Sequence, residues 1–186
     1  MYYLRTTLLY SVFICSTNFI FAQQENKLLG LGYTQFQLYG KDAQISNNVK
    51  GVTLFYEAGL GGVAITIEGI AAKNYDLNPA LKFDNYFAVK TSAGVIIANK
   101  GILRGRINFP QYLSLGYAWV NTENDNLKNG VLFGFRTSVR IFITRGLTIQ
   151  ACYSGDIGLA NKDLAFSLHG FTLNLAATFS RKVNLN

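Results

Sequence analysis

The chain has little of what usually carries protein chemistry. Its 186 residues include two cysteines, one histidine, one tryptophan and two prolines. Two cysteines and one histidine cannot supply the four ligands of a structural zinc site, and no Cys-x-x-Cys pair exists for redox exchange. Charged residues make up only 15% of the chain, against roughly 25% in ordinary soluble domains. Although 49% of residues are hydrophobic, no internal stretch approaches the roughly 20 apolar residues of a spanning helix. Glycine-rich phosphate loops, calcium-loop spacing and paired-carboxylate sites are missing. The formal charge of +7 comes from scattered cations, without a Lys/Arg run with interleaved aromatics. That speaks against a nucleic-acid partner. No cofactor or metal is expected.

What the chain does have is alternation. Phe171, Leu173, Leu175, Ala177 and Phe179 interleave with Gly170, Thr172, Asn174, Ala176 and Thr178. A period of two means a strand with one oily face and one polar or small face. The pattern recurs segment after segment behind a different kind of leader. In residues 1–22, Arg5 is followed by an apolar run from Thr6 to Cys15 and by Ile20-Phe21-Ala22 before Gln23. This order is that of a cleaved secretory signal. An N-terminal anchor is the alternative, but the run is short and broken by Ser16, Thr17 and Asn18. Cleavage would remove Cys15, leave Cys152 alone and lower the formal charge from +7 to +6 with the loss of Arg5. Residues 23–186 are then one domain, without an internal disulfide.

Clusters of glycine, asparagine and aspartate divide that domain into eight predicted strands. The first covers Leu28 to Tyr39, the second Gly51 to Leu60, and Gly61-Gly62 makes a primed hairpin turn into the third, Val63 to Ala72. A two-residue turn pairs Leu60 with Val63, Ala58 with Ile65 and Tyr56 with Ile67, so that oily positions meet. The fourth strand runs from Phe83 to Ala98. Asn99-Lys100-Gly101 then reads as a three-residue turn that pairs Ala98 with Ile102 and opens a fifth strand reaching Trp119. Pro110 cannot donate to a ladder and should mark a bulge or an unpaired position. The sixth strand is Val131 to Ile143, Thr144-Arg145-Gly146 repeats the glycine-final turn, and the seventh carries Leu147 to Tyr153. Long polar loops are expected at Gly40–Lys50, Ala72–Lys82, Asn121–Gly130 and Gly155–Leu164.

Long and short connections would therefore alternate, as in outer-membrane barrels. An even strand count returns both termini to the periplasmic side. A soluble lipocalin-like barrel is the competing fold, with its apolar residues lining the cavity. Here one face is oily with almost no charge, while the other holds Thr, Ser, Gly, Asn, Glu and Arg, which favours the oily side facing lipid. The predicted fold is an all-β, eight-stranded antiparallel up-and-down transmembrane β-barrel, preceded by a cleaved signal peptide.

On these residues the domain resembles the small eight-stranded outer-membrane proteins of the OmpA/OmpX type, and the generic outer-membrane β-barrel proteins of Bacteroidota. Gly170-Phe171-Thr172-Leu173-Asn174-Leu175 is similar to part of the signal read by barrel-assembly machinery. The chain departs from that signal by running past Phe179 to Asn186. The resemblance implies an integral protein of the outer membrane that contacts its lipid and lipopolysaccharide. It also allows a lumen whose ion pairs exchange partners.

The face opposite the oily one collects Glu57, Glu68, Lys90, Arg104, Arg106, Arg136 and Arg140. An eight-stranded barrel is just wide enough for side chains to fill. Charges there must pair, because an unpaired one costs several kcal/mol (on the order of 3–5). The cluster is expected to be a structural plug or, alternatively, a gated ion path, and the excess of cations would make any leak favour anions. Aromatics at strand ends (Phe83, Tyr86, Tyr112, Tyr117, Trp119, Phe133, Tyr153, Phe171 and Phe179) read as interfacial girdles or as sugar-binding platforms. The fourth and fifth strands exceed a crossing length and should project as a hairpin. Ser167 and His169 are the one nucleophile–base pair that a lipid-modifying enzyme could use. No carboxylate is placed by parity to orient that imidazole. The expected function is non-enzymatic: envelope structure, or an accessory component that meets other envelope proteins through extracellular loops or periplasmic turns. A narrow channel of porin type for ions or small solutes is the alternative.

Overall fold

The computed structural model describes residues 24–40, 46–60, 62–75, 83–98, 106–122, 129–160 and 163–182. The expected signal segment, Arg104 and the Asn99-Lys100-Gly101 turn lie outside the described residues. Eight strands follow in chain order: β1 (Gln24–Gly40), β2 (Ser46–Leu60), β3 (Val63–Asn74), β4 (Phe83–Ala98), β5 (Ile107–Thr122), β6 (Gly130–Phe142), β7 (Leu147–Ala160) and β8 (Asp163–Lys182). Each pairs antiparallel with its successor, and β8 pairs with β1 to close the barrel.

Alternation dictates which way the barrel faces. Leu29, Leu31, Leu54, Ile65, Leu113, Leu173 and Leu175 are about half exposed or more, while Thr53, Thr66, Arg140, Gln150 and Asn174 are almost completely buried. The oily side chains form the outer wall and the polar ones fill the lumen, which is the reverse of a soluble barrel. Register sets the tilt. The pairing path from Leu29 runs through Tyr56, Ile67, Thr91, Leu115, Phe133, Ile157 and Ser167, and returns to β1 at Tyr39. That stagger of ten residues is the shear that inclines the strands to the barrel axis.

The turn between β2 and β3 pairs Leu60 with Val63, Ala58 with Ile65 and Tyr56 with Ile67, with Gly62 at φ 92°. Ile143 donates its N–H to the Leu147 carbonyl across the next short turn, at 3.0 Å. Gly146 does not adopt the left-handed conformation expected of a glycine-final turn, since Gly62 is the positive-φ glycine among the described residues. Pro110 faces inward, and the β5–β6 ladder has no partner for Phe109 or Pro110 between the Asn108–Arg140 and Gln111–Thr137 pairs. The register is the same on both sides of the gap, so the proline leaves unpaired positions rather than a bulge. Its free carbonyl accepts a hydrogen bond from Ser138 Oγ at 3.2 Å.

Strand ends depart from the expected ones. Ala98 pairs with Asn108, not Ile102, a slip of six residues that preserves which face each side chain takes. β1 and β2 continue to Gly40 and back from Ser46, and β7 and β8 run to Ala160 and from Asp163. The expected long loops at Gly40–Lys50 and Gly155–Leu164 are therefore largely strand, and the alternation of long and short connections does not hold. The cause lies inside the barrel. At the end opposite the termini, Phe36, Leu38, Val49, Tyr86, Phe166 and Leu168 pack as an apolar layer. The strands keep pairing around it, although their outward positions have turned polar: Gln35 and Gln37 on β1, Lys50 on β2, Lys73 on β3 and His169 on β8. The outward-polar ends thus lie on β8, β1, β2 and β3. On β4 and β5 the outer wall at this end stays apolar, with Phe87 and Trp119 exposed; the β4–β5 hairpin expected to project is at the opposite end, and its turn lies outside the described residues. Tyr86 and Tyr112 are buried in the lumen and are not girdle residues. Their even-numbered positions share the parity of Lys90 and Ser114.

Close packing of the wall predicts a contrast between two glycines. A Cβ on Gly94 would overlap the Gln111 carbonyl oxygen, whereas one on Gly69 would meet nothing within 4 Å. Gly94→Ala is expected to destabilise the barrel by about 1–3 kcal/mol and Gly69→Ala to leave it unchanged. Urea unfolding in detergent, read by the fluorescence of the single tryptophan, Trp119, checks both.

Candidate functional site: the lumenal charge network

Among the described residues six charged side chains meet inside the barrel, each carried there by the inward parity of its strand. Glu68 on β3, Lys90 on β4, Arg136 on β6 and Asp156 on β7 form the upper group. Lys90 Nζ lies 2.9 Å from Asp156 Oδ2 and 3.5 Å from Glu68 Oε2, and Arg136 Nη1 lies 3.3 Å from Glu68 Oε1. Thr53 Oγ1 donates to Glu68 at 3.0 Å and Ser114 Oγ to Asp156 at 3.1 Å. The register makes part of this unavoidable, because Glu68 and Lys90 are direct cross-strand partners.

The lower group is built on Glu57. Arg140 Nη2 reaches its Oε2 at 2.7 Å, the Tyr112 hydroxyl donates to the same oxygen at 2.5 Å, and Thr66 Oγ1 donates at 3.4 Å. Arg140 also donates to the Tyr112 oxygen at 3.2 Å. Arg136 joins the two groups, since its guanidinium sits 4.7 Å from the centre of the Tyr112 ring. An arginine over an aromatic face gains electrostatic attraction that strengthens out of water.

Five of the seven residues predicted for this cluster are therefore brought together: Glu57, Glu68, Lys90, Arg136 and Arg140. Arg106 is exposed at the entrance to β5 and stands outside it. Its backbone still meets β6, since Phe142 N–H donates to the Arg106 carbonyl at 2.9 Å, but the side chain lies at the barrel's end and turns out of the lumen. Asp156 sits in a segment that reads as a polar loop, yet β7 carries it into the centre. Tyr112 reads as an interfacial aromatic from its place near a strand end, although its alternation with Leu113 is the signal that it faces inward. With Asp156 included, the described lumenal charges are three acids and three bases. The excess of cations behind the predicted anion preference is thus missing among the described lumenal residues, with Arg104 outside them.

The network is closed off along the axis. The cavity beside Glu68, Lys90, Arg136 and Asp156 has about 10 Å³ of room for the centre of a water molecule, roughly one water's worth. Above it lies the apolar layer, and Leu28, Phe55 and Ala176 pack together nearer the termini. No group of His, Cys, Asp and Glu suited to a metal ion occurs among the described residues. His169 faces outward, its Nδ1 3.5 Å from the Tyr153 hydroxyl and its ring 6.2 Å from that of Tyr39. Those contacts, among the described residues, include neither Ser167 nor a carboxylate, so the pair lacks the geometry of an activated nucleophile.

The fold has known counterparts. The chain superposes on the crystal structure of Neisserial surface protein A (NspA) with a TM-score of 0.65 at 14% identity, covering 82% of this chain and 97% of that one. It superposes on Ail, the attachment invasion locus protein of Yersinia pestis, with a TM-score of 0.56 at 14% identity, covering 83% and 99%. The structure of Ail with the heparin analogue sucrose octasulfate gives 0.57 at 11% identity and the same coverage. Both proteins are small eight-stranded outer-membrane barrels, and at this identity the likeness establishes the fold. No protein-family model and no curated protein matches the sequence.

Removing one member of a buried pair leaves the other charge uncompensated, typically at a cost of about 3–5 kcal/mol. Arg140→Met is expected to destabilise the barrel by that order, as is Glu57→Gln by a smaller amount. The double variant should lose much less than the sum of the two. A double-mutant cycle by urea unfolding in detergent measures the coupling.

Proposed function

We propose that the chain is a non-enzymatic integral outer-membrane β-barrel protein, an envelope structural element or an accessory component of an outer-membrane complex. Residues 1–22 act as a cleaved signal peptide, residues 23–186 form the barrel, and both termini face the periplasm. Membrane lipid and lipopolysaccharide are its immediate partners, and polar segments at the far end are available to other envelope proteins. The observation that carries this reading is the pairing of an apolar outer wall with a filled lumen. Leu31, Leu54, Ile65, Leu113, Leu173 and Phe179 are all more than half exposed, an arrangement that water penalises at roughly 25 cal/mol per Å² and hydrocarbon does not. The likeness to NspA and Ail supports the same location, and the parity of the strands supports kinship with the OmpA/OmpX-type barrels and the generic outer-membrane β-barrel proteins of Bacteroidota.

A second reading, a narrow ion path, is favoured by one feature: Lys90 lies between Asp156 and Glu68, within reach of both carboxylates. Two measurements separate the readings. Proteoliposomes carrying the protein are expected not to swell in glucose or arabinose. Single-channel recording is expected to give the same sparse or absent conductance for wild type and Glu68→Gln. Sugar-driven swelling would overturn the filled lumen, and a marked rise in open time for Glu68→Gln would establish the gated path instead.

A further inference from the structure

We propose that the outer wall of β2, β3 and β4 carries a built seat for one phosphorylated, acylated glycolipid of the outer leaflet. The proposal rests on the barrel lying in the outer membrane with its termini in the periplasm.

The first observation is a pairing that costs stability unless an anion is present. Lys50 and Lys73 are direct cross-strand partners on the outward face, and like charges directly opposite in a ladder are destabilising. Gln35 completes the row as the partner of Lys50 on β1. Lys50 Nζ is held 5.5 Å from the centre of the Tyr75 ring, which orients it without neutralising it. Among the residues with described side chains, the carboxylates Glu57, Glu68 and Asp156 are all buried in the lumen.

The second observation is the level and shape of the wall below. The next outward residue beneath Lys50 is Val52, 53% exposed, followed by Leu54, 57% exposed. The lysines therefore stand one step above the hydrocarbon-facing band, at the depth of lipid headgroups, where lysine stems lie on apolar surface and ammonium groups reach phosphate. Beneath Lys73 on the same strand come Ala71 and Gly69, and a Cβ on Gly69 would meet nothing within 4 Å. Ala71 lies between its partners Val52 and Phe87, and Gly69 between Leu54 and Val89. The small residues floor a groove that larger side chains flank on both strands. It descends from the lysine pair into the apolar band. A phosphate on the lysines with an acyl chain along this floor satisfies both features at once.

The test uses the folded full-length barrel in detergent and native mass spectrometry with three added probes: bisphosphorylated lipid A, the same lipid dephosphorylated, and phosphatidylglycerol. The variants are Lys50→Gln/Lys73→Gln, which removes the charge, and Gly69→Leu, which fills the groove and leaves the charge. The wild type is expected to retain one bisphosphorylated lipid A in preference to either other probe. The double variant should bind it roughly tenfold to thirtyfold more weakly, the factor that two lysines supply near an anionic surface, and Gly69→Leu should also lose it. Equal retention by all three proteins, or equal binding of phosphatidylglycerol, would overturn the seat. Heat-modifiable migration and membrane fractionation are recorded on the same samples. A barrel that inserts normally but shows no preference refutes the seat alone, whereas one that fails to insert refutes the membrane assignment.

Discussion

Closure of the backbone ladder behind an oily outer wall governs this molecule. A strand that crosses a bilayer cannot leave its N–H and C=O groups to water, so every ladder must have a neighbour and the sheet must close. Pairing of β8 with β1, from Gln24–Lys182 to Gly40–Phe166, meets that requirement. With eight strands and a stagger of ten residues, closure leaves a lumen of fixed and small width. The inward side chains then have to fill it and satisfy one another.

They do so in layers. Leu28, Phe55 and Ala176 pack toward the end that bears the termini. The Glu57 group and the Glu68–Lys90–Arg136–Asp156 group occupy the middle, and the layer around Phe36, Tyr86 and Phe166 closes the far end. Buried ion pairs of this kind are weak contributors to net stability but severe penalties against any register that separates them. A one-residue slip of β3 would send Glu68 to the oily outer wall and Ile67 into the lumen. The charge network thus specifies the same alignment that the oily wall requires, and the two constraints reinforce each other.

Polarity also changes along the axis. Around the apolar layer the wall of β8, β1, β2 and β3 carries Gln37, Lys50, Lys73 and His169 outward, so the outer surface is polar at the far end and apolar below it. This inversion explains why Asn47-Asn48 reads as a loop, while Gly155-Asp156 reads as one because the partners of Asp156, Lys90 and Ser114, lie across the lumen. Their local composition is that of turns, yet Leu38, Val49, Phe166 and Leu168 give their strands something to enclose. Arg106 shows the opposite case. Its parity points it into the lumen and its carbonyl accepts from Phe142 N–H at 2.9 Å, but at the end of the barrel its side chain is exposed.

The alternation of Phe171 to Phe179, the Gly61-Gly62 turn and the oily-to-oily match of Tyr56 with Ile67 determined the strand class, the number of strands and the direction of the wall. These are properties of neighbours along the chain, since a period of two and a two-residue turn act within a few residues of one another. Only the closed barrel decided where strands stop, that Asp156 faces Lys90, and that Tyr112 serves Glu57 rather than the membrane. Those outcomes depend on what stands across the lumen, and residues 66 and 55 positions apart in sequence meet there because closure and shear bring them to the same level.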